Sequence, residues 1–360
     1  MLPMAEPGPV TPASTRTPPA RAGKSGIQPK RLARMAGLLL VAAAPPMIAI
    51  TWLFGVTAAE TAVFGVLIAL MNMIMGGLRI ALAAAFALIL ATPISLVCGL
   101  SPLAGAAFMA VACIVVGASA GWGLQRGLTM VPLAIAYLLI SPPAINGQAA
   151  DPTSTSYVLT LTAIMALAGL FPLIVLPRLM KKLPPPRLKR NSRADSVEYA
   201  IIISTLTAVA TGVVLAIHPG RDAFWLILTL LVVVQVGPQA TIRKTMSRSG
   251  GTVLGAVISI IIVILIPNST VLFCLGIVAM LLTVNFAGGS RYWLYMTCLT
   301  PTIVLTSSAS NPSTAELTAE SRVLYTLIGA ALALMAFAIA VALQRIFNQP
   351  SEHAALSDRP

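Results

Sequence analysis

The chain has 360 residues, of which 58% are hydrophobic and 9% charged, and its mean hydropathy is +0.92. A soluble globule of that composition would have too little polar surface to face water, so lipid has to be the missing solvent. The formal charge of +13 sits beside apolar runs, where membrane orientation explains it better than nucleic-acid binding, and Cys98, Cys113, Cys274 and Cys298 lack the spacing of a disulfide framework or a zinc site.

Residues 1–34 are rich in Pro, Ala, Thr and Arg, have no apolar period, and are expected to form a disordered, basic cytoplasmic tail. Arg31–Ala44 has the basic region, apolar run and small residues of a signal peptide. The long leader and the continuation of the run past Pro45 and Pro46 favour an uncleaved first span instead. Apolar stretches of spanning length then follow at 36–56, 60–77, 79–99, 102–120, 127–142, 157–177, 199–217, 223–237, 250–267, 269–287, 291–308 and 322–344. The expected fold is therefore an all-α membrane protein with about twelve transmembrane helices.

Basic residues fall in alternate gaps. With the N-terminus inside, all of the 23 Lys and Arg except Arg221 and Arg322 lie on the cytoplasmic side, as the positive-inside rule requires. A polar, Pro-rich, basic linker, Lys181–Arg193, separates two sets of six spans. The expected domains are a first six-helix half (35–178), a cytoplasmic linker (179–198), a second six-helix half (199–345) and a cytoplasmic tail (346–360). An even number of spans per half gives two parallel repeats related by an axis along the membrane normal. Asn72 and Gln235 near the inner ends of spans 2 and 8, Arg126 and Arg291 before spans 5 and 11, and Pro132 and Pro301 within them agree with this.

Two stretches could carry function. In His218–Gly255, Asp222 can N-cap span 8, Trp225 sits at the outer interface, and Gln235, Gly237 and Pro238 end the span inside. Arg243, Lys244 and Arg248 then lie beside the positive end of span 9, with Lys244 and Arg248 on one face, while Gly251 and Gly255 admit a close neighbouring helix. This reads as a cationic cytoplasmic vestibule; the alternative is that the three bases only fix topology. In Gly288–Ser308, Trp293, Thr297, Thr300 and Ser307 approximate one face of a helix that Pro301 interrupts, which suits a solute path near the midplane. The competing reading is that the hydroxyls bond their own i−4 carbonyls and Pro merely kinks. Arg322, beside Glu316 and Glu320 at the outer start of span 12, is either an outer counterpart of the vestibule or half of an exposed ion pair.

Enzyme motifs fail on context. Gly117, Ser119 and Gly121 fit GxSxG, but no strand precedes them, and the chain's two histidines, His218 and His353, offer no usable base. No Walker A lysine, paired aspartates or metal-ligand cluster is present, so no cofactor is expected.

Trp225, Thr229, Pro238 and Arg243, then Arg248 with Gly251, Thr252 and Gly255, then Tyr292, Trp293 and Thr300, then Arg322, Thr326 and Gly329 form a pattern that resembles the fusaric acid resistance protein-like (FUSC) family. The resemblance covers about 200–345; the first half matches only in span count and hydropathy. It implies an inner-membrane exporter of organic anions, in particular aromatic carboxylates, working beside a periplasmic adaptor subunit. Larger relatives carry soluble domains that this chain replaces with a short linker and tail. A passive anion channel of the same architecture and a non-transporting scaffold are the competing readings. Pairing of two chains stays open, and the surrounding partner is membrane lipid.

Overall fold

The computed structural model describes residues 29–180, 188, 190–266, 268–286, 291–308 and 314–347. Residues 1–28 of the expected tail, 181–187 and 189 of the Pro-rich linker, and the tail after 347 lie outside the described residues, while residues 29–34, expected in the disordered tail, are helical. Among those described the fold is helical without a strand, with one isolated bridge between Ile145 and Gln148. The helices are α1 (Pro29–Phe54), α2 (Val56–Cys98), α3 (Pro102–Ser119), α4 (Gln125–Leu128), α5 (Met130–Ile140), α6 (Thr155–Met180), α7 (Arg193–Ile217), α8 (Phe224–Val233), α9 (Pro238–Leu265), α10 (Ser269–Phe286), α11 (Tyr292–Ser308) and α12 (Thr314–Phe347).

Six of these, α2, α3, α6, α7, α9 and α12, contain stretches long and apolar enough to cross a membrane. This is a multi-pass membrane protein. Large apolar side chains that a soluble protein would bury point outward instead, among them Trp52, Leu103, Ile264 and Leu265, and lipid is the environment that accepts them.

Helix α2 has 43 residues, about 64 Å of straight helix, twice the roughly 30 Å of hydrocarbon. It breaks at Gly77, whose φ of 76° and ψ of −175° are non-helical; only glycine enters that region without strain. Both limbs lie on α6: a Cβ at Gly65 would meet Ala168, and one at Gly169 would meet Ala85. The limbs at 56–76 and 78–98 are therefore folded back beside each other, and Ala69 of one packs with Ala81 and Ala85 of the other.

The shortest apolar helices are the most enclosed. Every residue of α5 from Val131 to Leu139 is buried, and so is most of α8. At 11 and 10 residues each rises about 16 Å, half the hydrocarbon thickness. Beyond α8 the chain runs extended through Val234, fully buried, to Gly237 with φ 94°. Non-helical backbone at such depth is tolerated only inside protein or along a cavity. Local bonds supply what the ladder lacks: Thr241 Oγ1 accepts from the Gln235 N–H at 2.9 Å, and Gln235 Nε2 donates to the carbonyls of Val232 and Val234. After α5, Tyr157 donates to the Pro143 carbonyl and Ser141 to that of Arg221.

Several helices start earlier than expected, among them α1 at Pro29 rather than 36 and α7 at Arg193 rather than 199, and three differences bear on charges of the second half. Helix α9 starts at Pro238 rather than 250, so Arg243, Lys244 and Arg248 lie within it. Gly237 and Pro238 form the joint and Pro occupies the first turn, where its missing N–H costs nothing. Helix α12 starts at Thr314 rather than 322, which puts Arg322 two turns inside the helix. Asp222 sits in a 3₁₀ turn, Arg221–Ala223, and makes no side-chain cap on α8. Of the cysteines, Cys113 packs as expected, accepting a bond from Thr207 across α3 and α7, whereas Cys274 is exposed.

Small residues let the helices touch. A Cβ on Gly251 would lie 2.6 Å from the Trp293 carbonyl oxygen, and one on Gly255 would lie 2.8 Å from that of Thr297 and 3.0 Å from Pro301 Cδ. The Thr297 carbonyl is the acceptor that Pro301 leaves without its helical donor, so the glycine seam of α9 covers the defect in α11. Gly251→Ala is expected to destabilise the purified protein by about 1–3 kcal/mol through overpacking, read as a lower thermal midpoint in detergent, while alanine at Gly250, where a Cβ meets nothing within 4 Å, should leave it unchanged.

Candidate functional site

Helices α8, α9, α11 and α12 bring two arginines into the interior of the second half. Arg248 and Arg322 are each 2% exposed. Arg248 Nε donates to Thr229 Oγ1 of α8 at 3.2 Å, and its Nη1 approaches Met296 Sδ of α11 at 3.6 Å. Arg322 sits over the Trp225 ring, its guanidinium carbon 4.0 Å from the centroid. Its Nε and Nη1 are buried with no hydrogen-bond partner. The two guanidiniums act on each other electrostatically, and the Tyr295 hydroxyl feels both. Among the described residues neither has a carboxylate within ion-pair distance; Asp222 acts on Arg322 only from a distance.

This arrangement is expensive to fold. Moving a cation out of water costs several kcal/mol even after relaxation, and the usual remedy is a buried acid. Here an aromatic face, a hydroxyl and a thioether take that place. They stabilise positive charge without cancelling it.

A second layer lies toward the expected cytoplasmic end. Lys244 Nζ sits 5.4 Å above the Tyr292 ring, and that ring stacks on Tyr295 with centroids 5.6 Å apart. Lys244 also feels the charges of Arg248, one turn further along α9, and of Arg126, on α4 of the first half. Arg126 is read from sequence as a topology residue; no linear motif links it to Lys244, because the two lie on helices of different halves.

The other expected positions divide. Arg243 is exposed on α9. Gln235 closes the end of α8 with its amide nitrogen rather than facing the arginines. Trp293 is 44% exposed. Thr297 and Thr300 donate to the carbonyls of Trp293 and Met296 one turn back, so the hydroxyl row of α11 satisfies its own helix. The Ser307 side chain lies outside the described residues. Trp225, Lys244, Arg248 and Arg322 converge, and Gly251 and Gly255 pack α9 on α11 as expected. Thr229, Tyr295 and Met296 complete the surroundings.

Residues 205–336 match the family model described as fusaric acid resistance protein-like. Residues 205–336 are thus a fusaric acid resistance protein-like region. No curated protein and no solved structure matches the chain. The fusaric acid resistance protein-like region holds both buried arginines, the Trp225 ring and the α9–α11 seam. It abuts the first half through an aromatic chain: Phe64 to Tyr137 at 4.9 Å, Tyr137 to Phe224 at 5.1 Å and Phe224 to Trp225 at 4.2 Å. A groove of about 650 Å³ on the outside of α7 and α12, lined by Arg193, Val197, Glu198 and Ala340, includes none of these residues.

The Trp225–Arg322 stack can be isolated by a double-mutant cycle. Trp225→Leu is expected to cost about 2 kcal/mol of stability with Arg322 present, the size of a desolvated cation–π contact, and about 0.5 kcal/mol or less in an Arg322→Met background. Equal losses in both backgrounds, by thermal or denaturant unfolding, would mean the ring packs without sensing the charge.

Proposed function

We propose that the protein is an inner-membrane exporter of organic anions, with aromatic carboxylates as the substrate class. The observation that carries this reading is the buried pair Arg248 and Arg322, held by aromatic and neutral groups instead of acids. Substrate would gather at Arg126 and Lys244 on the cytoplasmic side, pass Tyr292 and Tyr295, and meet Arg248 and then Arg322 before release. An inside-negative potential favours outward movement of a monovalent anion by about 2.3 kcal/mol per 100 mV, enough for a roughly 50-fold gradient.

In this proposal the chain forms twelve crossings in two six-helix repeats with both termini cytoplasmic. Several paired features support it. Positive-φ glycines, Gly77 and Gly237, join the second and third helical limbs of each half. Gly65 meets α6 as Gly329 of α12 meets Thr229 of α8. Helix α3 packs on α7, the first helix of the second half, and α10 on α1, the first helix of the first. The short helices α5 and α8 meet at the centre, where the two halves would enclose the route.

Efflux of a fluorescent aromatic acid from vesicles tests the reading. Arg248→Ala should slow it at least about tenfold, the cost of losing one charge-assisted contact. Arg126→Ala should slow it less, and Arg79→Ala, an exposed base on the second limb of α2, should stay within about twofold of wild type. Equal losses at all three positions would return Arg248 to the residues that only orient the chain.

A further inference from the structure

Helix α7 packs chiefly on α3 and α12 chiefly on α9, so few side chains fill the space between α7 and α12. The groove left there, about 650 Å³, is within the roughly 300–1,000 Å³ of small-ligand sites. Arg193, Val197 and Ile201, four residues apart, form one stripe of α7; Glu198 stands on the stripe beside it, and Ala340 of α12 forms the opposite wall. Val197 and Ile201 are 52% and 60% exposed, which on the outside of a membrane protein means contact with acyl chains.

The length of α7 sets the depth of this groove. Its 25 residues, Arg193–Ile217, rise about 37 Å. Ile217 is its last apolar residue before His218, and roughly 30 Å of hydrocarbon counted back from there ends near Glu198. The step from Glu198 to Arg193 rises about 7.5 Å, the thickness of one headgroup layer. The groove therefore has apolar walls in the hydrocarbon and one cation and one carboxylate among the headgroups. Among the described residues neither charge makes an ion pair, and the neighbouring Arg190 and Asp195 do not line the groove. A lipid whose head carries only a phosphate would set a like charge against Glu198, and a trimethylated ammonium has no N–H to donate to it. A head with both a phosphate and a primary ammonium satisfies both: the guanidinium pairs with the phosphate, and the ammonium donates to the carboxylate.

We propose that the groove between α7 and α12 binds a phospholipid of the phosphatidylethanolamine class. Its phosphate lies on Arg193, its ammonium on Glu198, and one acyl chain runs along Val197 and Ile201 against Ala340. The site selects this head by charge, since it offers one group of each sign at headgroup depth. It stands on the membrane class of the protein and on the groove, and does not depend on the organic-anion reading above.

The test is native mass spectrometry of the purified full-length chain in mild detergent. Phosphatidylethanolamine, phosphatidylglycerol and phosphatidylcholine with identical acyl chains are supplied in equal amounts. The wild type should retain phosphatidylethanolamine about threefold or more over the other two, the size of an interfacial ion pair. Glu198→Gln should bring its retention down to that of phosphatidylcholine, and Glu198→Lys should reverse the order in favour of phosphatidylglycerol. Arg193→Gln should lower retention of phosphatidylethanolamine and phosphatidylcholine alike, while Arg79→Gln should follow the wild type. Ile201→Trp, which fills the groove and keeps both charges, should also lose the preference and gives the comparison if a charge variant does not fold. Equal retention of the three lipids by the wild type, a wild-type preference for phosphatidylglycerol, or an unchanged order in Glu198→Lys overturns the proposal. A wild type that appears as a dimer without retained lipid also overturns it, in favour of a second copy in the groove. Loss of organic-anion efflux in every vesicle composition would reject the transport reading and leave the lipid site standing; efflux without headgroup preference would do the reverse.

Discussion

Two arginines inside an apolar bundle, with no acid beside them among the described residues, are the constraint around which the second half is arranged. Each guanidinium would cost several kcal/mol to desolvate alone, and both sit close enough to repel. The fold meets that cost with groups that tolerate a cation without neutralising it: the face of Trp225, the hydroxyl of Thr229 and the sulfur of Met296. A carboxylate would have cancelled the charge that these groups leave in place.

Holding those partners in place depends on features that weaken ordinary helices. Helix α8 stops after ten residues, and its extended exit through Gly237 lets α9 enter with Lys244 and Arg248 already on its inner face. Pro301 deprives the Thr297 carbonyl of its donor in α11, and the bare backbone of Gly255 lies against that carbonyl. Without the glycine the two helices would stand apart and Met296 could not reach Arg248. On the other side, Gly329 brings α12 down onto Thr229, so one threonine contacts both the seam that positions Arg322 and the guanidinium of Arg248.

Hydropathy made the membrane class and the helical character legible, because lipid-facing surfaces such as those of Ile264 and Leu265 leave their mark in composition. Charge spacing identified Lys244 and Arg248 as neighbours on one face, and the Gly251–Gly255 spacing identified the packing seam. Boundaries were less legible. Hydropathy drops across the polar first turns of α9 and α12, so both helices looked shorter than they are, and Arg322 looked superficial although it is fully enclosed. The hydroxyls of Thr297 and Thr300 resembled a polar lining because sequence cannot say whether a threonine faces a cavity or its own backbone. Arg126 stood out only by its place before span 5, and nothing in sequence linked it to Lys244, which lies over a hundred residues away in the other half. The aromatic chain from Phe64 to Trp225 was invisible for the same reason.

The central claim is that the enclosed positive charge selects the sign of what crosses. Proteoliposomes holding either an aromatic carboxylate or an aromatic amine of similar size, under an imposed potential of either polarity, measure this directly. The carboxylate should leave through the protein, faster when the interior is negative, while the protonated amine stays behind at both polarities. Movement of the amine, or no protein-dependent movement of the carboxylate at either polarity, would contradict it.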